Sequence, residues 1–218
     1  MVPELVLVDV DPRVVVAWQA TFEDCPEVSI VQGSILERHV DAWVTPTNAK
    51  AEMNGGVDAA IRSYLGEKIQ TKIRSAVARE PFGTLSLGRA LCVKTGRRWP
   101  RYVISTPTMH SASENISDRM NVAMACAAAL HAARVEQLRG GMLDSVAMPG
   151  LGASTGKVPP ETCATLMWMA YRLCRDRDFA SYADLRQALQ AELGELDPTS
   201  SQTRRKPGFL GWLASLVS

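Results

Sequence analysis

Closely spaced metal ligands are absent from this sequence of 218 residues. Its five cysteines include no C-x2-C pair, and its three histidines are scattered along the chain. Structural zinc sites need such pairs, so we expect no metal, and nothing in the sequence calls for a cofactor. Because the cysteine count is odd and the spacing irregular, we expect reduced thiols and a cytoplasmic location. Cys163 and Cys174 lie in an apolar helical pattern that is typical of core positions.

A strong charge imbalance and a long apolar run are also missing. The formal net charge is +1, which predicts no global attraction to nucleic acid or to anionic membranes. No apolar stretch reaches the length of a membrane-spanning helix. The run at residues 5–8 lacks a basic flank and stops at Asp9, unlike a secretory signal. Arg97, Arg98 and Arg101 are not interleaved with aromatic residues as single-strand binding requires, so we interpret them as a solvated face.

Short apolar runs alternate with helical patterns along most of the chain. The predicted strands are residues 4–9, 28–31, 41–45, 90–94, 102–105 and 145–148. The predicted helices are residues 12–22, 57–79 with a break near Gly66, 118–138, 159–175 and 182–193. Strands that alternate with helices indicate an α/β fold, in which a largely parallel sheet lies between two layers of helices.

A change of composition after Leu196 divides the chain into a folded domain, residues 1–196, and a tail, residues 197–218. The tail joins a linker rich in serine and threonine to a basic cluster at residues 204–206 and a short apolar segment at residues 209–217. The simplest interpretation is that the tail is disordered or docks on its own domain. The alternatives are that it binds a partner or an anionic membrane surface.

Two loops that contain glycines follow predicted strands and precede predicted helices. The first spans residues 48–58 and the second spans residues 149–157. Glycine lets the backbone approach a ligand closely, and the start of a helix adds positive partial charge. Because both loops follow the carboxyl ends of strands, we expect them at the same edge of the sheet. Together they are suited to holding the two phosphates of a diphosphate.

Polar residues in the first loop have two interpretations each. The amide of Asn48 suits a pair of ribose hydroxyls, but it equally suits hydrogen bonds to its own loop. Asp58 either stabilises the start of its helix, by about 0.3–1 kcal/mol, or orients a water molecule or a ribose hydroxyl. In the second loop, Lys157 either adds positive charge to a ligand site or is simply solvated.

The glycine spacing of the second loop excludes two common nucleotide-binding motifs. Gly150, Gly152 and Gly156 bracket Ser154 and Thr155, and backbone amides with small hydroxyl side chains at this spacing form an anion nest. The loop lacks the residue order G-x-x-x-x-G-K-[ST] of a Walker motif, and it also lacks the G-x-G-x-x-G spacing of a dinucleotide-binding turn.

Four segments, in their order along the chain, resemble the signature of the macrodomain family. They are Val31-Gln32-Gly33-Ser34-Ile35, Asp41-Ala42-Trp43-Val44-Thr45-Pro46-Thr47-Asn48, Asn54-Gly55-Gly56-Val57-Asp58-Ala59-Ala60-Ile61 and the loop at residues 149–156. The resemblance covers about residues 28–176. It implies a three-layer α/β/α fold with a mixed, largely parallel sheet and an ADP-ribose cleft at one end. Residues 1–27 would add a leading strand and helix.

The resemblance also implies roles for single residues. Asn48 and Asp58 are implied as catalytic, because they match an asparagine that contacts the distal ribose and an aspartate that assists hydrolysis in some branches. The implied ligand contacts lie beside adenine, in the catalytic loop and around the diphosphate: Gly33, Ser34 and Ile35, then Gly55, Gly56 and Val57, then Gly150, Gly152, Ala153, Ser154, Thr155, Gly156, Lys157 and Val158.

Three positions depart from the family pattern. Ser34 stands where the family often has an aspartate that accepts a hydrogen bond from the adenine amino group. Residues 45–47, Thr-Pro-Thr, replace the usual Asn-Ala-Ala. Val158 replaces an aromatic residue near the distal ribose, which predicts a looser pocket wall.

The leading interpretation is therefore an ADP-ribose-binding domain that hydrolyses ADP-ribosyl linkages, and its nearest rival is a reader that binds without hydrolysis. A methyltransferase is suggested by residues 7–12, which resemble an acidic strand end that holds a cofactor ribose, but no glycine-rich turn precedes them. An interaction module that uses the arginines and the tail is the third alternative, without a strong nucleic-acid signal.

Overall fold

The computed structural model describes residues 2–112, 114–117 and 120–194, in which strands and helices alternate. The strands are β1 (Glu4–Asp9), β2 (Ser29–Gln32), β3 (Ala42–Asn48), β4 (Leu91–Lys94), β5 (Tyr102–Met109) and β6 (Ser145–Met148). The helices are α1 (Pro12–Thr21), α2 (Gly56–Leu65), α3 (Lys68–Val77), α4 (Asn121–Leu138), α5 (Pro160–Asp176) and α6 (Tyr182–Gly194). The tail that the sequence predicts at residues 197–218 lies outside the described residues.

Local sequence signals account for several helix ends. Helix α1 begins where predicted, because the Asp11 side chain accepts a hydrogen bond from the backbone of Arg13 and Pro12 occupies the first turn. The predicted break near Gly66 is confirmed, since Gly66 ends α2 with a φ of 90° that favours glycine. The long helix predicted from residue 118 begins at Asn121 in the structure.

Strand β5 extends four residues further than the sequence predicts. The prediction stopped at Ser105, because the polar residues and Pro107 that follow do not form an apolar run. In the structure these residues continue to pair with β3, and the register shifts between Thr47 and Asn48. The extension carries β5 to the same edge of the sheet as the first glycine loop.

The six strands form one mixed sheet in the order β2-β1-β6-β3-β5-β4. Strand β4 pairs antiparallel with β5, and the other described pairings are parallel. This sheet, with helices on both faces, confirms the three-layer α/β/α prediction. Strand β1 is not an addition at the edge of the sheet, because it lies inside, between β2 and β6.

Both faces of the sheet are buried, as expected for a sheet between two helical layers. On β1, Leu5 and Leu7 pack into the larger core, which includes α1, α4 and α5. The alternate residues Val6 and Val8 pack into the smaller core, which includes α2 and α3. No helix within the described ranges is both long and apolar enough to cross a membrane.

The cysteines belong mainly to the larger core. All five are free thiols, and Cys25, Cys126, Cys163 and Cys174 are buried, so the core positions predicted for Cys163 and Cys174 are confirmed. Burial raises the pKa of the Cys174 thiol to about 12, and a buried thiol of this kind is chemically inert.

Candidate functional site

A cavity of about 480 Å³ lies at the edge of the sheet where the parallel strands end. Its volume is within the range of about 300–1,000 Å³ that is usual for small-molecule sites. Residues at or just after the ends of β1, β3, β5 and β6 line it, together with other residues of the two glycine loops. The loops are therefore at the same edge of the sheet, as predicted, and they border one cavity.

The second loop contains backbone N–H groups that are not used in hydrogen bonds within the described part of the chain. Within residues 151–156, no backbone N–H donates a hydrogen bond to another described residue. The loop holds its shape through bonds from the Val158 N–H to Gly152 O and from the Ile116 N–H to Gly156 O, both 3.1 Å long. Gly156 allows a close approach that other residues do not, because a Cβ there would lie 2.7 Å from Gly152 O.

The first loop adds the start of α2. Gly55 precedes the helix and offers no side-chain cap, so the N–H groups of Gly56, Val57 and Asp58 have no acceptor among the described residues. An ideal Cβ at Gly56 would lie 4.0 Å from the Thr155 hydroxyl oxygen. The two loops thus face each other closely across the cavity.

The Asn48 side chain is occupied by hydrogen bonds within its own loop. Its Oδ1 accepts from the backbone N–H groups of Lys50, at 3.0 Å, and Glu52, at 3.1 Å. Its Nδ2 donates to Glu52 Oε2 at 2.9 Å. Asn48 lines the cavity, but these bonds correspond to the loop-stabilising interpretation of its amide.

Asp58 is buried at the cavity wall rather than exposed as a simple helix cap. The residue is only 7% exposed, and its Oδ1 accepts a 2.5 Å hydrogen bond from the Thr45 hydroxyl. Burial raises the pKa of the carboxyl from 3.8 to about 7, and the bond from Thr45 opposes that rise. The pKa of Asp58 therefore lies near neutral pH, which suits a group that accepts and returns protons.

Asp9 joins the cavity from the end of β1. Its Oδ1 accepts from the Asp11 N–H, and its Oδ2 accepts from the Gly150 N–H, both at 2.9 Å. Next to it, the Ser34 hydroxyl accepts from the Leu36 N–H at 3.2 Å and caps a short 3-10 turn. The sequence signal at Asp9, an acidic residue at a strand end, resembles a methyltransferase feature and does not by itself point to this cavity.

Most of the predicted ligand contacts line this one cavity: Gly33, Ser34, Ile35, Asn48, Gly55, Gly56, Val57, Asp58, Gly150, Gly152, Ser154, Thr155 and Gly156. Ala153, Lys157 and Val158 do not line it. Val158 is buried, whereas Lys157 is exposed. The prediction missed Asp9, Glu52 and Thr108, and the Thr108 hydroxyl is buried without a hydrogen-bond partner among the described residues.

The charged side chains of the lining are all acidic. They are Asp9, Glu52 and Asp58, and no lysine or arginine is among the described lining residues. An anion in this cavity would therefore be held by backbone N–H groups and by the start of α2 rather than by basic side chains. Within the described part of the chain, no group of three or more histidine, cysteine or carboxylate side chains could hold a metal ion.

The model of one protein family, the Macro domain, matches residues 44–167. This match covers more than half of the chain and takes in both glycine loops. The chain belongs to the Macro domain family. An uncharacterised protein of Aquifex aeolicus is 34% identical to this macrodomain over 141 residues, which are 65% of this chain and 78% of the relative.

Solved macrodomains share the fold. The macrodomain of Thermus aquaticus DarG is 26% identical, with a TM-score of 0.53 over 65% of this chain and 88% of that chain. The macrodomain of Oceanobacillus iheyensis with ADP is 18% identical, with a TM-score of 0.56 over 75% of this chain and 90% of that chain. A mutant of the same Oceanobacillus protein has been solved with ADPR.

Strands β1 and β2 and helix α1 precede the residues that the family model matches. Asp9 and Ser34 therefore belong to a part of this macrodomain that the family match does not cover, although both line the cavity. Their roles have to be argued from the geometry of this chain.

Proposed function

We propose that this macrodomain binds ADP-ribose, with the diphosphate between the two glycine loops. The observation that carries the proposal is that two loops with backbone N–H groups that have no acceptor among the described residues approach each other closely and border one cavity. Such groups need an acceptor, and phosphate oxygens at the start of a helix supply one. The ADPR-bound Oceanobacillus relative supports the choice of ligand.

Calorimetric titration with ADP-ribose, ADP, AMP and ribose 5-phosphate tests this proposal. We expect ADP-ribose to bind more tightly than each fragment, because only the whole molecule reaches the loops and both ends of the cavity at once. An affinity for ADP-ribose no higher than that for AMP would overturn the proposal.

The proposal extends to hydrolysis of ADP-ribosyl linkages, with Asp58 as the base. In this reaction, the oxygen of a water molecule bonds to the anomeric carbon of the distal ribose, and the bond to the linked group breaks. The water gives a proton to the Asp58 carboxylate, and the Asp58 carboxyl then returns this proton to the leaving group. Because only the ionised carboxylate accepts the proton, we expect the rate to rise with pH through about 7.

Thr45 acts on this reaction through Asp58, as a positioning residue. The Thr45→Val substitution removes the hydrogen bond that favours the ionised carboxylate. A hydrogen bond to a charged group is worth about 1.5–3 kcal/mol, so we expect the midpoint of the pH–rate profile to rise by about one to two units. The measurement is the hydrolysis rate between pH 5 and pH 9.

Thr47→Val is the matched control for this prediction. Thr47 is on the same strand face, but its hydroxyl pairs with Ser105 rather than with Asp58. We expect its pH midpoint to stay where it is in the wild type. Equal midpoints in all three proteins would remove Thr45 from the mechanism.

A reader that binds ADP-ribose without hydrolysis is the second candidate, and the Asn48 contacts favour it. Because both ends of the Asn48 amide are used within its loop, this residue is less free to position a distal ribose for attack. A wild-type protein that binds ADP-ribose, but hydrolyses no ADP-ribosylated aspartate, glutamate, serine or arginine, would be a reader.

A further inference from the structure

One end of the cavity is more apolar than the rest of its lining. Aliphatic side chains line it on the β1 and β2 side: Val8, Val10, Ile35 and Leu36. Val10 is 70% exposed, although it is a large apolar side chain. We name these four residues the apolar lobe. Branched aliphatic walls suit the flat face of a nucleobase, whereas the hydroxyls of a sugar would lose hydrogen bonds to water there.

Asp9 carries the one charge among the described residues that line this lobe. Because β1 lies inside the sheet, Asp9 has a neighbour on each side. The Gly33 N–H donates to the backbone carbonyl oxygen of Asp9 at 2.9 Å, and the Gly150 N–H donates to its side-chain Oδ2. Each oxygen of an ionised carboxylate has two lone pairs. Since Asp11 and Gly150 use one on each oxygen, the carboxylate still has capacity to accept.

The neighbouring Ser34 is a weaker acceptor for a ligand in the lobe. It has no charge, and its hydroxyl oxygen already accepts from the Leu36 N–H. An ionised carboxylate, in contrast, accepts but cannot donate. A nucleobase edge that faces Asp9 must therefore present an N–H donor.

We propose that Asp9 accepts a hydrogen bond from the exocyclic amino group of a purine in the apolar lobe, and thereby selects adenine over hypoxanthine. This inference rests on the proposed ADP-ribose binding. Hypoxanthine carries a carbonyl oxygen where adenine carries the amino group, and two acceptors that face each other repel.

Wild-type protein is titrated with ADP-ribose and with its hypoxanthine analogue, inosine diphosphate ribose. We expect the analogue to bind at least about tenfold more weakly, because a lost hydrogen bond to a charged group has this effect or more. Equal affinities would overturn the role of Asp9 and leave the proposed function intact. Binding of neither ligand would overturn the proposed function itself.

The Asp9→Asn variant separates selection from a merely structural role. Its side-chain NH2 can donate to the hypoxanthine carbonyl, so we expect the ratio of the two affinities to shift by at least about tenfold toward the hypoxanthine ligand. If Asp9 only holds the Gly150 loop, both ligands weaken equally and the ratio stays unchanged, which would overturn the inference.

Asp11→Asn is the control, because Asp11 is on the same turn but pairs with the exposed Arg13 instead of lining the cavity. Its affinity ratio should equal that of the wild type. Thermal unfolding shows whether Asp9→Asn folds. If it does not, the wild-type protein is titrated with a third ligand, an ADP-ribose analogue whose adenine amino group is dimethylated. This ligand has no N–H to donate, so binding as tight as that of ADP-ribose would overturn the inference.

Discussion

Replacing Asp58 with asparagine is expected to stabilise the protein at pH 8 and to have little effect near pH 4. Burial raises the pKa of the native carboxyl from 3.8 to about 7. Between these two values the unfolded chain is ionised while the native protein stays protonated, so the contribution of this group to the free energy of unfolding falls as the pH rises. Above pH 7 the loss is complete, at about 4 kcal/mol as an upper limit.

Asparagine has a similar shape but never ionises, and its oxygen can still accept from Thr45. The gain of Asp58→Asn should therefore grow between pH 4 and pH 7 and then level off. Urea unfolding of both proteins at pH 4, 6 and 8 measures it. A gain that is the same at all three pH values would contradict a raised pKa at this site.

The same variant tests catalysis. Loss of a general base commonly lowers a rate by about 10²–10⁴-fold, so we expect hydrolysis to fall by that amount. ADP-ribose affinity should change by less than about threefold, since the diphosphate is held by backbone N–H groups in the proposed complex. Hydrolysis at an unchanged rate would show that Asp58 is not the base.

Gly156→Ala is expected to abolish tight binding of ADP-ribose. A Cβ at this position would lie 2.7 Å from both Gly152 O and the Ile116 Cγ1 atom, so the loop has to move and its N–H groups are displaced with it. Losing two hydrogen bonds to a charged ligand weakens binding by about 100-fold or more. Calorimetry measures the affinity, and circular dichroism checks that the fold is retained.

Ser154→Ala is the matched control in the same loop. Ser154 is exposed, and its replacement keeps every backbone N–H of the loop. We expect an affinity within about threefold of the wild type, because side-chain hydroxyls are secondary to backbone donors in an anion nest. If both variants lose affinity equally, side chains rather than backbone hold the ligand.

Features that depend on neighbours in the sequence could be predicted. The alternation of apolar runs and helical patterns predicted the layers. The glycines of the two loops, each after a strand, predicted that the loops meet at one edge of the sheet. The break at Gly66 and the cap at Asp11 follow from the conformational preferences of single residues.

Features that depend on distant partners could not be predicted. The environment of Asp58 is set by burial and by Thr45 on the strand before it, and no local pattern reveals a raised pKa. The two interpretations of the Asn48 amide, a ribose contact or bonds within its own loop, can be distinguished only from the geometry of the loop. Asp9 was missed because its place depends on β1 lying between β2 and β6, which residues 4–9 alone do not encode.

The interior place of β1 has a consequence for synthesis of the protein. Its partner β6 begins about 140 residues later in the chain, so a growing polypeptide on the ribosome holds β1 without one of its two neighbours for most of translation. Such long-range pairing slows folding and leaves an unpaired strand exposed to other chains. We therefore expect fragments that end before residue 145 to aggregate, since the middle of their sheet is left open.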